Sequence, residues 1–251
     1  MPKLDLMARP VTVIIPTFNR PENLPTVIAS IRAQNVPSYI YVWDNGASGA
    51  KAFKEHRLAD CVFTSSLNFG CWARFPLMAF VRTPYTWQMD DDLVLKKPDV
   101  FAKYCRISEE LGHKAIIGAG GKVLHPGEKP YQSSKAAPPG PAVMVNTGFT
   151  MFPTHLVNKW PANPLFCERP ISDDDLHNAD DPWICSYVDC HVAGLVDGNE
   201  WYGIARLSER GLGVSHNPQH MDKRNRICQQ YLTGKRLAME AKGEIKKWAE
   251  Q

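Results

Sequence analysis

A chain of 251 residues with 44% hydrophobic and 22% charged residues has the composition of an ordinary globular protein, one large domain or two modest ones. Its net charge of +3 is too small to argue for nucleic acid, and its first apolar run, Val11 to Ile15, falls far short of the ~20 residues that span a bilayer. Seven scattered cysteines without a CxxC pair read as reduced, partly buried thiols, so the expected compartment is cytoplasmic.

The first half alternates strands and helices. "VTVIIPTF" (11–18) is rich in β-branched residues and predicts a strand ended by Pro16. Leu24, Val27, Ile28 and Ile31 then recur at helical spacing, with Pro21 near the helix start. "YIYVW" (39–43) is the second strand, "DNGASG" a turn, and "CVFTS" (61–65) the third strand. Trp72, Phe75, Ala79 and Phe80 suggest a helix that Pro76 should bend or shorten. "YTWQM" (85–89) is the fourth strand, and Val100, Tyr104, Ile107 and Leu111 form the next helical stripe.

The second half is less regular. "AIIGAGG" (115–121) reads as a strand running into a glycine turn. "PGEKPYQSSKAAPPGP" (126–141) reads as a long surface loop, a lid or a disordered segment. "AVMVNTGFTMF" (142–152) is expected as one strand. Trp183, Ile184, Tyr187, Val188 and Val192 mark a helix from "DDPW", on which Cys185 and Cys190 would lie near each other. The tail from Met221 is helical and basic. No repeat or linker is visible, so one continuous domain is expected, its halves spanning residues 1–95 and 96–251. Alternation of this kind predicts an α/β fold with an open, mostly parallel sheet that binds ligands beyond the carboxyl ends of its strands.

Three groups of residues fall at such ends. Asp90, Asp91 and Asp92 follow the fourth strand. In an extended stretch Asp90 and Asp92 share a face while Asp91 points away, and two such carboxylates suit Mg²⁺ or Mn²⁺ completed by substrate phosphates. A solvated acidic turn capping the helix near Asp99 is the plainer alternative. Asp44 and Asn45 in "WDNGAS" can accept hydrogen bonds from a base or ribose, or simply build an Asp-Asn-Gly turn. Asp180 and Asp181 can cap a helix, or one of them can act as a base or orient substrate. His216 is a candidate metal ligand, and His220 and Arg224, four apart on a helix, would face a diphosphate together.

"VTVIIPTFNRPENLPTVIASI", "VWDNGAS" and "MDDD" together resemble the nucleotide-sugar half of a GT-A-fold glycosyltransferase of the family 2 type. "MDDDLVL", "ISDDDLHNADDPWICSYV" and "SHNPQHMDKRNRICQQYL", in that order, are closer to the exostosin-like N-acetylhexosaminyltransferases. The resemblance runs over roughly residues 11–232 and implies a GT-A (Rossmann-like) fold. It implies that Pro16, Thr17 and Asn19 line the nucleotide pocket, that Asp44 or Asn45 meets uracil or ribose, and that Asn68 and Arg74 sit by the nucleotide. It also implies that Asp92, with Asp90, holds the metal, that Asp181 (or Asp180) faces the reacting sugar, and that His216, His220 and Arg224 close over the diphosphate.

The implied activity is metal-dependent transfer of a sugar from a nucleoside diphosphate, UDP by preference, to a hydroxyl. An in-line Asp181 base would invert the anomeric centre; an Asp181 that only contacts the donor sugar would fit retention. The acceptor is a glycan, a protein or a hydroxylated DNA base; the basic run from Lys223 to Lys247 could meet phosphates, although a solvated basic helix is the plainer reading of it. A sugar nucleotidyltransferase is a rival, although "PTFNRPENLP" lacks the glycine-rich phosphate loop such an enzyme uses; a silent carbohydrate- or nucleotide-binding module is another.

Overall fold

The computed structural model describes residues 9–18, 20–46, 58–158, 180–198, 200–207 and 219–246. Asn19 and His216 lie outside the described residues, as do residues 47–57, which include the second half of the "DNGASG" turn.

β1 (Val11–Thr17), β2 (Ser38–Asp44), β3 (Cys61–Thr64) and β4 (Tyr85–Met89) form within a residue or so of their predicted bounds. β5 (Leu93–Leu95), β6 (Ala115–Gly118), β7 (Gly121–Val123), β8 (Lys135–Ala136), β9 (Gly140–Ala142), β10 (Met144–Val145) and β11 (Phe149–Pro153) follow. β12 (Asp189–Val192), β13 (Val196–Asp197), β14 (Glu200–Trp201) and β15 (Ile204–Arg206) complete the strands. Eight of them make the central sheet, in the order β3-β2-β1-β4-β11-β6-β12-β9. β1 to β4 are mutually parallel, β11 runs against both its neighbours, and β9 runs against β12. The sheet continues unbroken across residue 95, since β4 pairs with β11.

Strand alternation sends apolar side chains to both faces, and helices cover each. On one face Val11, Val13 and Ile15 of β1 pack with Leu24, Val27, Ile28 and Ile31, the stripe of helix Leu24–Arg32. Trp87 anchors that face, with its ring centroid 4.3 Å from Phe101 and 4.9 Å from Tyr104 on helix Val100–Glu110. On the other face Ile14 meets Phe75, Leu77 and Met78 of the five-residue helix Arg74–Met78, shortened as Pro76 foretells. That helix stops before Phe80, which is 60% exposed.

Four expectations in the second half are corrected. The stretch 142–152 is broken at Asn146-Thr147-Gly148, so that β10 and β11 belong to different sheets. The helix from "DDPW" ends at Cys185; Cys190 and Val192 alternate at period two in β12, which pairs with β6. Cys185 and Cys190 therefore share no helix, although Lys235 Nζ reaches both the Cys185 carbonyl (2.7 Å) and Cys190 Sγ (3.4 Å). The 126–141 stretch carries β8, part of β9 and a buried Tyr131, so it is a wall and not only a surface loop.

The tail is helical through His220–Ile227, a π segment Cys228–Leu232 and Thr233–Ala241. Three of its basic side chains turn inward, Lys223, Arg224 and Arg236, the last pairing with Glu240 at 2.7 Å, while Arg226, Lys242 and Lys246 stay exposed. Among the described residues no helix is long and apolar enough to cross a membrane.

Candidate active site

A cleft of about 360 Å³ opens beyond the carboxyl ends of β1, β2 and β4. Pro16, Thr17, Asn45, Asn68, Arg74, Asp90, Asp91, Asp92, Asp180, Asp181, His220 and Arg224 all line it. Asp44 does not: it closes β2 with 2% exposure, outside the lining.

The three aspartates leave β4 in a turn, so strand alternation does not govern them. Asp91 does not point away from the site: all three aspartates line the cleft, Asp91 and Asp92 sharing Arg20 while Asp90 pairs with Arg74. Asp91 accepts from Thr17 Oγ1 (2.7 Å) and pairs with Arg20 (2.6 Å). Asp92 takes Arg20 (3.3 Å) and Arg206 (2.9 Å) on the same oxygen, Oδ2. Asp90 turns to Arg74 (2.9 Å), and its Oδ2 packs so close to Gly148 that a Cβ there would lie 2.5 Å from it. With Asp91 and Asp92 only 1–2% exposed, the solvated-turn alternative is excluded. Burial pushes the Asp91 carboxyl up to about 7, against the pull of Arg20 and Thr17. Arginines, then, already neutralise the crowded carboxylates.

Asp180 and Asp181 open helix Asp180–Cys185, but their side chains turn to Thr147 and two arginines. Thr147 N–H donates to Asp181 Oδ1 (3.1 Å), and its hydroxyl contacts both Asp180 Oδ2 (2.8 Å) and Asp181 Oδ1. Arg224 Nη1 donates to Asp181 Oδ2 (2.7 Å) and Tyr131 Oη (2.8 Å). Arg74 spans the two acidic groups, its Nε 3.4 Å from Asp180 and its Nη1 donating to the Thr147 carbonyl (3.1 Å). Burial, then the Asp181 charge, raises the Asp180 carboxyl. For Asp181 burial acts in the same sense, but Arg224 and the Thr147 bond outweigh it and hold the carboxyl below the usual range. Burial and then Arg224 lower His220 to about 4, so at neutral pH it brings no charge to the site; its buried Nδ1 bonds to no described residue.

Other predicted residues serve the frame. Asn45 donates to the Gly70 carbonyl (3.0 Å) and accepts from Phe69 N–H (2.7 Å), while Asn68 accepts from Gly70 N–H (2.8 Å). Together they pin the loop that carries Cys71 and Arg74 into the cleft. The turn after Asn45 needs Gly46, whose φ is +91° and where a Cβ would meet the Leu67 backbone at 2.8 Å.

Among the lining residues that the sequence reading of the site missed are Arg20, Lys122, Tyr131, Thr147, Trp201 and Arg206. Arg206 arrives because β15 pairs with β5 just beyond the aspartates, with Leu207 N–H on the Asp92 carbonyl (2.6 Å). Trp201 lies over Gly120, where a Cβ would come within 2.8 Å of its ring. In sum, five carboxylates line the cleft (Asp90, Asp91, Asp92, Asp180, Asp181) against five cationic side chains (Arg20, Arg74, Lys122, Arg206, Arg224).

Hard carboxylate oxygens, one or two per ion with substrate phosphates completing the sphere, are the donor set of a shared Mg²⁺ or Mn²⁺ site, and the turn after β4 fits that description. Among the described residues no group of three or more His, Cys, Asp or Glu could hold an ion by itself.

No family model matches the chain, and no curated protein matches it by sequence. Solved structures do match. A mannosyltransferase from Pyrobaculum calidifontis, in complex with GDP-Man and Mn²⁺, superposes with a TM-score of 0.55 at 11% identity, over 95% of this chain and 77% of that one. S. aureus TarS 1–349 in complex with UDP-GlcNAc gives 0.52 at 12% identity, over 82% and 60%. A longer TarS chain gives 0.50 at 13%, and the chain spans only 36% of it. The chain has the GT-A fold. In this GT-A sheet the cleft occupies the carboxyl-end position where open α/β sheets bind ligands.

Proposed function

We propose that the chain is a metal-assisted glycosyltransferase that moves a hexosyl or N-acetylhexosaminyl group from a nucleoside diphosphate, UDP by preference, to a hydroxyl. The observation that carries this reading is one cleft holding both the three-aspartate turn and the buried Asp180–Asp181 pair. The solved GT-A structures with UDP-GlcNAc and with GDP-Man and Mn²⁺ support the donor class.

Pro16, Thr17 and Asn68 line the cleft and would form its nucleotide end. Asp92, with Asp90, would hold Mn²⁺ or Mg²⁺, which offsets the charge of the departing diphosphate. Arg20 and Arg206 stand beside those carboxylates as fixed cations for the same developing charge. His220 contributes a neutral imidazole. Asp180 and Asp181 divide their work as adjacent carboxylates in unlike surroundings do. Asp181 stays ionised and fixes Arg224 and Thr147, whereas Asp180, with its raised carboxyl, is the member suited to take the acceptor's proton. A glycan hydroxyl is the acceptor class favoured: with Lys223, Arg224 and Arg236 buried, the described tail offers DNA phosphates only Arg226, Lys242 and Lys246 as exposed cations, interspersed with exposed Asp222 and Glu244.

A thermal-shift panel tests the reading: UDP, GDP, CDP and UDP-sugars, each with Mn²⁺, Mg²⁺ or EDTA. Ligands that bind only the folded state raise Tm by mass action. A rise with UDP-sugars that EDTA erases is expected; no rise with any nucleotide would sink the proposal.

A further inference from the structure

We infer that Arg206 competes with the divalent cation for Asp92, so that cation binding releases a guanidinium to the diphosphate. The inference rests on the metal-assisted reading and deepens it at one residue.

Two guanidiniums meet Asp92 at the same oxygen, Oδ2, and they differ in exposure to solvent. Arg20 has a second anchor in Asp91 at 2.6 Å, and its side chain is 17% exposed. Arg206 approaches Asp92 at 2.9 Å from a side chain that is 46% exposed. Its backbone is fixed, paired to Leu93 across β15 and β5 and tied through Leu207 N–H to the Asp92 carbonyl. A pinned Cα with a long, solvent-reaching side chain lets the guanidinium change partner without moving the fold.

Charge makes the exchange necessary. The lining holds no more carboxylates than cations, five to five, so a divalent ion added alone leaves an excess of positive charge around Asp92. A cation that takes Asp92 faces Arg206 as a like charge at hydrogen-bond range of the same oxygen. Displaced, Arg206 is a fork-shaped donor at the edge of the site, suited to diphosphate oxygens. It therefore opposes the cation alone and favours the cation with its nucleotide, which makes the two bind together.

The signature is a pair of opposite effects. Mn²⁺ affinity is measured without nucleotide by the electron paramagnetic resonance of free Mn²⁺, and UDP affinity by calorimetry at saturating Mn²⁺. Arg206→Gln should tighten Mn²⁺ about fivefold, the scale of one half-exposed ion pair, and weaken UDP by about tenfold. Arg206→Lys should fall between. Lys122→Gln removes one positive charge from the same cleft, but its ammonium bonds Ser134 Oγ (3.0 Å), so it should leave Mn²⁺ affinity nearly unchanged. Unchanged or weaker Mn²⁺ binding in Arg206→Gln, or equal tightening in Lys122→Gln, overturns the inference. Asp92→Asn separates the underlying reading: it should abolish Mn²⁺ binding, and if it binds Mn²⁺ like the wild type, the metal role of Asp92 fails whatever Arg206 does. No Mn²⁺ binding by either wild type or Arg206→Gln overturns both.

Discussion

Two acidic clusters share one cleft and are built from the same parts, adjacent aspartates held by arginines, yet they differ in access to water. After β4, Arg206 and Arg20 are 46% and 17% exposed; around Asp180 and Asp181, Arg74 and Arg224 are 7% and 8% exposed. Asp92 is itself only 3% exposed, but Arg20 stays on the same oxygen when the half-exposed Arg206 leaves. Water replaces the contact on the arginine side, so that one pair costs little to break. A buried one leaves a stranded charge. The first cluster is thus suited to exchange partners with an arriving ligand, and the second to hold a geometry through the reaction. Arg74 touches both, pairing with Asp90 and Asp180, and so sets their spacing.

Breaking the rigid cluster should have the largest effect. Arg224→Met leaves Asp181 without its ion pair in a buried setting, which should cost about 3–5 kcal/mol of folding stability. Urea denaturation measures it. Adding Asp181→Leu should recover part of that loss, because the double variant no longer buries an unpaired charge. Arg206→Gln, by contrast, should cost under about 1 kcal/mol. Equal losses from the two arginine variants would erase the distinction between the clusters.

Within the rigid pair, the raised Asp180 carboxyl and the lowered Asp181 carboxyl assign different work. Asp180→Asn should keep UDP affinity within about twofold and reduce turnover by about 10²–10⁴, the range of a lost proton acceptor. Release of UDP from a UDP-sugar gives the rate, and calorimetry the affinity. Near-normal turnover would move the role to Asp181. Asp181→Asn is the less clean variant, since it also loosens Arg224 and Thr147.

The same contrast explains what could be read from the sequence. Asp90 to Asp92 are consecutive after an apolar run, so a local pattern announced them, along with the β1–β4 alternation around them. Their neutralising partners were not local. Arg206 reaches Asp92 through a strand pairing 114 residues away, and Tyr131 reaches Arg224 from a Pro- and Ser-rich stretch that reads as a plain loop. Thr147 sat inside an expected strand; the only hint was the Asn-Thr-Gly break, where polar residues and a glycine interrupt the apolar run. Three-residue facing within the aspartate run was misjudged because a turn, not a strand, sets it.

His220 offers the finest test, since it belongs to the rigid cluster without being paired there. Its imidazole is lowered to about 4, first by burial and then by Arg224, whereas an unfolded histidine titrates near 6.5. Between those values the unfolded chain holds a proton that the folded chain refuses, so this residue's contribution rises with pH from about 4 to about 6.5 and is lost as pH falls. Asp180 acts in the opposite sense, its raised carboxyl keeping a proton longer in the folded state, so the total pH profile mixes the two. The difference between wild type and His220→Gln isolates the histidine. As pH falls from 6.5 to 4.5 the wild type should lose up to about 1 kcal/mol per pH unit, a few °C in Tm, relative to the variant. A constant gap across that range would mean that His220 takes its proton as readily in the folded chain as in the unfolded one, so that the cleft gains a cation as pH falls below about 6.5.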